Sequence, residues 1–125
     1  MFRQDGGLQS YLYSQNKQGQ YGEVETARDF RFQTDRYYRI TMQVRLNDPR
    51  RSDGSMLILV DGDPKVTHSK VQFRSSDDER SRISTLMFNT FHGGHGPEWA
   101  PRDAMGDYTV VCAFFDDFVV APLAY

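Results

Sequence analysis

The strongest constraint on this chain is the alternation in residues 38–46. Tyr38, Ile40, Met42, Val44 and Leu46 fall on one side, and Arg39, Thr41, Gln43 and Arg45 on the other. A period of two is the mark of a strand with one face buried and one in water. Asn47-Asp48-Pro49 and Asp53-Gly54 signal the turn that follows. Residues 56–60 are apolar on both faces and read as a central strand. Asp61-Gly62-Asp63-Pro64 is the next turn, and the two runs together read as a hairpin.

The same patterning extends along the chain. Residues 66–73 alternate again and close on the polar run 75–79; residues 8–13 and 24–32 supply strands at the front. Residues 83–91 and 108–120 are apolar, β-branched and aromatic, and are expected to be two further strands, the second bent near Asp116-Asp117. No window sustains a capped helical stripe over three turns, so at most one short helical turn is expected. Strands at this spacing, joined by turn signals, predict an all-β, antiparallel sandwich. A chain of 125 residues fits one such domain.

Composition excludes several functions. A formal net charge of -2 argues against a duplex-binding surface, although a local arginine cluster can still meet an anionic polysaccharide. The longest apolar run is only strand length, so no membrane span is expected. Cys112 is the only cysteine, which rules out an internal disulfide and a thiolate zinc site; between Val110-Val111 and Ala113-Phe114 it reads as a small buried hydrophobe. Residues 1–5 carry no apolar secretion segment. His92 and His95 flank Gly93-Gly94, but two ligands on a glycine loop without a third do not make a metal site. Neither a metal nor a cofactor is expected. Aromatic residues are 14% of the chain; they suit strands, and their flat faces also suit the C–H face of a sugar ring.

Several segments then carry a resemblance. Met1-Phe2-Arg3 through Gly6-Gly7 to Tyr11-Leu12-Tyr13, the hairpin from Tyr37-Tyr38-Arg39 to Asp61-Gly62, Phe88-Asn89-Thr90-Phe91-His92-Gly93-Gly94 with Trp99-Ala100-Pro101, and Phe115-Asp116-Asp117-Phe118 resemble, in order, segments of the alginate-lyase-like polysaccharide lyases of family 14. The resemblance implies a jelly roll and β-elimination at a uronic acid. In that reaction a base removes the C5 proton, a cation neutralises the carboxylate and an acid protonates the leaving oxygen. It further implies that Tyr11 and Tyr13 match the family's catalytic Tyr-x-Tyr, and the spacing puts both phenols on one strand face. The family's Ser-x-Arg pair and essential Lys precede the Met-Phe-Arg segment. They are expected upstream of Met1, with further strands of the cleft, making this chain the C-terminal portion of the catalytic domain.

Substrate contacts are expected from Arg3, which shares strand parity with the tyrosines, from Arg39, Gln43 and Arg45 on their polar strand face, from His92 at a loop rim and from Trp99 by stacking. The arginines also fit plain solvation and cross-strand pairing, and Trp99 fits packing of its Pro-rich loop. The expected partner is an acidic polysaccharide such as alginate or glucuronan, with no nucleic acid and no membrane; an extracellular location follows from the resemblance alone. The alternative function is a non-catalytic glycan-binding or self-assembling module, with a homo-oligomer formed through an exposed sheet edge.

Overall fold

The computed structural model describes residues 5–90 and 96–122. Five strands form, β1 (Gly7–Leu12), β2 (Glu23–Arg31), β3 (Ile40–Arg45), β4 (Gly54–Val60) and β5 (Asp63–Val71). β1 and β2 pair antiparallel; β3, β4 and β5 make a second antiparallel sheet in that order. Among the described residues there is no α-helix, only one-turn 3-10 segments at Glu79–Ser81 and Pro97–Trp99. The chain divides into two compact units, Met1–Ser84 and Thr85–Tyr125, and all five strands belong to the first.

Local chemistry sets the three-stranded sheet. β4 and β5 are joined through Asp61 and Gly62, both with positive φ (51° and 91°), the two-residue turn whose twist matches an antiparallel hairpin. The Asp61 carboxylate accepts the Arg39 N–H at 2.9 Å and pairs with Arg36 at 3.1 Å. Pro64 lies near the start of β5, beside a register shift, where its missing donor is tolerated. Met56, Ile58 and Val60 of β4 and Val66 and Val71 of β5 are buried, and Leu8, Leu12 and Ala27 of the smaller sheet complete the same core. Burying such an aliphatic side chain contributes about 1.5–3 kcal/mol. Phe30, Phe32 and Tyr38 pack edge-to-face at its margin.

Two polar features lock this arrangement. Asn47, just past β3, is wholly buried. Its amide nitrogen lies 2.8 Å from each of the Asp48, Arg51 and Arg74 carbonyls, and its oxygen accepts the N–H groups of Phe73 (2.7 Å) and Arg74 (3.0 Å). One side chain therefore joins the β3–β4 loop to the exit of β5. Gly54 beside it has no room for a Cβ, which would sit 2.7 Å from the Val71 carbonyl oxygen. Deeper in, Ser10 Oγ and His68 Nε2 are 2.7 Å apart, with the Glu25 carbonyl 3.3 Å from the same hydroxyl. This buried pair connects β1 to β5.

Several expectations need correction. The all-β, antiparallel class holds, and among the described residues the two sheets are not closed. Residues 83–90 and 108–120 form no strands, and residue 91 lies outside the described residues. Alternation alone does not hold a strand; its backbone needs a partner chain about 4.8 Å away. Within the second unit the only bridge among the described residues is Arg102 to Tyr108. Asp117, at φ 51°, does turn the chain where the bend was expected. Phe88 packs edge-on against Phe115 and Phe118, at 4.8 and 4.9 Å. Cys112 is exposed, not buried, because its apolar neighbours are themselves unburied. On β3, Ile40 and Met42 remain exposed although they share the inner face with buried β4 residues.

Replacing Asn47 by Ala strands five backbone groups at once. It is expected to lower stability by at least about 3 kcal/mol, read as a drop in Tm of roughly 10 °C or more by thermal denaturation. Asn47→Asp is expected to be no better, since it turns the donor into an oxygen facing three carbonyls.

Candidate functional site

The inner face of β1 carries Leu8, Ser10 and Leu12, so alternation sends Tyr11 outward. Tyr13, one residue past the strand end, projects beside it. The two rings meet edge-to-face, 5.2 Å between centroids and 89° between planes. Tyr13 Oη donates to Tyr11 Oη at 3.2 Å, and the Gly22 N–H donates to the same Tyr11 oxygen, also at 3.2 Å. Two hydrogens therefore converge on one phenolic oxygen. Both phenols stay accessible, Tyr11 at 39% and Tyr13 at 58% exposure.

The connection between β1 and β2 delivers Gly22. Lys17 Nζ donates to the carbonyls of Gly19 (2.6 Å) and Gln20 (3.0 Å), folding the loop on itself, and Gly19 takes a positive φ of 81°. A Cβ on Gly22 would lie 3.2 Å from the Tyr11 ring, so glycine is what lets the backbone N–H come alongside it. Tyr21 arrives with the same loop and is exposed.

Electrostatics acts visibly on Tyr13. Tyr13 is raised above the ordinary tyrosine value, first by the hydrogen bond it donates to Tyr11, then by partial desolvation and by the neighbouring Tyr11 charge. The Gly22 N–H opposes the rise, Tyr21 adds slightly to it, and no cation of the described residues is among the groups that shift it. Tyr13 is the donor of the pair, and Tyr11 the acceptor.

The other expected site residues lie elsewhere. Gln43 and Arg45 pair with Leu57 and Ser55 and, with Arg39 just ahead of β3, share the outer face of the three-stranded sheet. Tyr11 and Tyr13 project from the outer face of the other sheet, so these groups do not converge on the tyrosines. Trp99 is exposed on the Pro97–Trp99 turn of the second unit. Arg3 and His92 fall outside the described residues. Sequence reasoning missed Tyr21 and Gly22. The available signal was a glycine next to an aromatic residue at the start of the strand that pairs Tyr11 with Val24.

A depression of about 630 Å³ lies away from the tyrosines, lined by Arg28, Phe30, Arg36, Tyr38 and Lys65 among others. Its charges are largely matched, Lys65 to Asp29 at 2.9 Å and Arg36 to Asp61 at 3.1 Å, and Arg36 stacks 4.6 Å above the Tyr38 ring. Such self-satisfied ions leave little for a ligand to neutralise. The Lys65 hydrogen bond and charge also hold Asp29 below the usual carboxylate value. What the pair contributes to stability is present above the unfolded carboxylate value, about 3.9, and is lost as pH falls through the folded one.

In comparison with known proteins, the model of the family described as polysaccharide lyase 14 matches residues 1–111. No curated protein and no solved structure matches the chain.

The tyrosine geometry makes a direct prediction. In an ultraviolet titration of tyrosinate, Tyr11→Phe removes the acceptor of the Tyr13 proton and the charge beside it. The most alkaline phenol of the wild type should then move down toward about 10. An unchanged alkaline end of the titration would show that the pair does not hold this proton.

Proposed function

This chain belongs to the polysaccharide lyase 14 family, and from that premise we propose that it cleaves a uronate-containing polysaccharide, of the alginate or glucuronan type, by β-elimination. The observation that carries the reading is the Tyr11–Tyr13 pair, two exposed phenols on one face with the proton of one directed at the oxygen of the other. Elimination needs a base at C5 and an acid at the leaving oxygen. Tyr11, the acceptor of the pair, is assigned as base. Tyr13, which keeps its proton to higher pH, is assigned as acid. The substrate carboxylate needs a cation as its charge delocalises, and Arg3 is assigned that role on its shared parity with the tyrosines. Tyr21 borders the pair and offers a face on which a flanking sugar can stack. Arg39, Gln43 and Arg45 are not assigned to the reacting sugar, since they lie on a different face. The jelly roll of the family belongs to this same reading.

A second reading is favoured by one observation. Among the described residues no cation shifts Tyr13, and without one a phenol is a weak base at neutral pH. On this reading the tyrosine face binds the glycan without cutting it.

The test is incubation with polymannuronate, polyguluronate and glucuronan over a range of pH, following the ultraviolet absorbance of the unsaturated uronate end. Tyr11→Phe and Tyr13→Phe are each expected to lower the rate by about a hundredfold or more. No unsaturated ends from any of these polymers would sink the lyase reading. Retention of the same polymers on an affinity gel, lost in a Tyr11→Ala/Tyr13→Ala double variant, would then establish the binding reading.

A further inference from the structure

Edge strands in stable monomers are blunted by bulges, proline, inward charges or a covering segment. β5 shows several of these: Pro64, two register shifts, Lys70 at a positive φ of 57°, and Asn16 hydrogen-bonded to the backbone of Lys70 (2.9 Å) and Gln72 (2.8 Å). The pairing of β1 with β2 is also interrupted by a register shift. β3 has none of these. Among the described residues it ends its sheet, its ladder with β4 runs unbroken from Ile40 to Arg45, and it contains neither proline nor an inward-facing charge. Its inner side chains are bare as well: Ile40 is 44% and Met42 56% exposed, while their β4 partners Val60 and Ile58 are 2% and 7%. The core therefore extends one strand beyond its cover.

We propose that β3 is a self-association edge, pairing antiparallel with β3 of a second copy of this chain about a two-fold axis at Gln43. The sequence of the strand selects this register. Centring on Met42 would set Arg39 against Arg45, a like-charge pair directly opposite. A shift of one residue would turn apolar side chains onto the polar face. Centring on Gln43 places Met42 against Val44, Ile40 against Leu46, and Arg45 against Thr41, with Gln43 facing its own copy. Apolar meets apolar on the inner face and no charge meets its like within the strand. The product is a continuous six-stranded sheet, with the exposed Ile40 and Met42 of both copies brought side by side. The pairing is independent of lyase activity, and its failure leaves that reading untouched. With a short ladder and few anchors, the dimer is expected to be weak, with dissociation in the micromolar range or above.

The test is sedimentation velocity of the full chain from low to high micromolar concentration, beside Met42→Lys, which puts an inward charge on the strand at an already exposed position. The wild type should pass from monomer to dimer as concentration rises, while Met42→Lys stays monomeric with an unchanged thermal transition. Register is read by crosslinking in a Cys112→Ser background. Gln43→Cys sets two cysteines opposite each other with Cα atoms about 4.5–5.5 Å apart, within disulfide reach. It should oxidise to a covalent dimer, whereas the two copies of Arg45→Cys lie about 13 Å apart and should not. A wild type that stays monomeric throughout, a Met42→Lys variant that dimerises equally, or crosslinking as efficient at Arg45 as at Gln43 would each overturn the proposal.

Discussion

The buried amide of Asn47 is the contact on which the rest of the first unit depends. Peptide groups leaving two strands at one end of a sheet must find partners or stay in water. Asn47 gathers five of them from the β3–β4 loop and the exit of β5. Its two N–H bonds are shared among three carbonyls while its oxygen accepts two donors, so the side chain is used to capacity. Gly54 allows this closeness, because any Cβ there would meet the backbone of β5. With that corner fixed, β4 and β5 present Met56, Ile58, Val60, Val66 and His68 on one face. His68 in turn meets Ser10 and sets which side of β1 points inward. The outward direction of Tyr11 thus follows from a polar knot on a different strand.

That chain of causes explains what was legible in the sequence. Alternation in residues 38–46, the apolar run 56–60 and the Asp61-Gly62 turn specified the three-stranded sheet because each is local chemistry: a period, a composition and a pair of positive φ angles. The parity of Tyr11 and Tyr13 was equally local. Asn47 was not legible as a core residue, since an Asn ahead of Asp-Pro reads as turn chemistry. Its five partners are spread from residue 48 to residue 74. Gly22 was invisible for the same reason: its role lies in a close approach to a ring in the opposite strand.

Residues 83–90 and 108–120 carry the opposite lesson. Their composition is as strand-like as that of β4, yet β4 becomes a strand because β3 and β5 flank it in register. Propensity for the extended state largely expresses fit to a pleated neighbour. Ile40 and Met42 fail in a related way. Alternation fixes which face a side chain shares, but burial requires another layer to reach that far, and the two-stranded sheet does not.

The tyrosine pair sits on the less secured of the two sheets. A two-stranded ribbon is marginal by itself; β1 and β2 are held through Leu8, Leu12 and Ala27, the Ser10–His68 contact and the Lys65–Asp29 pair. The position of Tyr11 is therefore only as exact as this docking, and a weakened core would disturb the site before any site residue changed. Within the pair, geometry alone sorts donor from acceptor, since one phenol receives two hydrogens and the other gives its own. That ordering is needed for proton transfer but does not drive it. A phenol already hydrogen-bonded to another, with a third nearby and no cation of the described residues among the groups that shift it, holds its proton more firmly than an isolated one. Converting such a pair from a sugar-contacting surface into an acid and a base takes one positive charge placed close to the Tyr11 oxygen, and that single electrostatic requirement separates cutting a glycan from holding it.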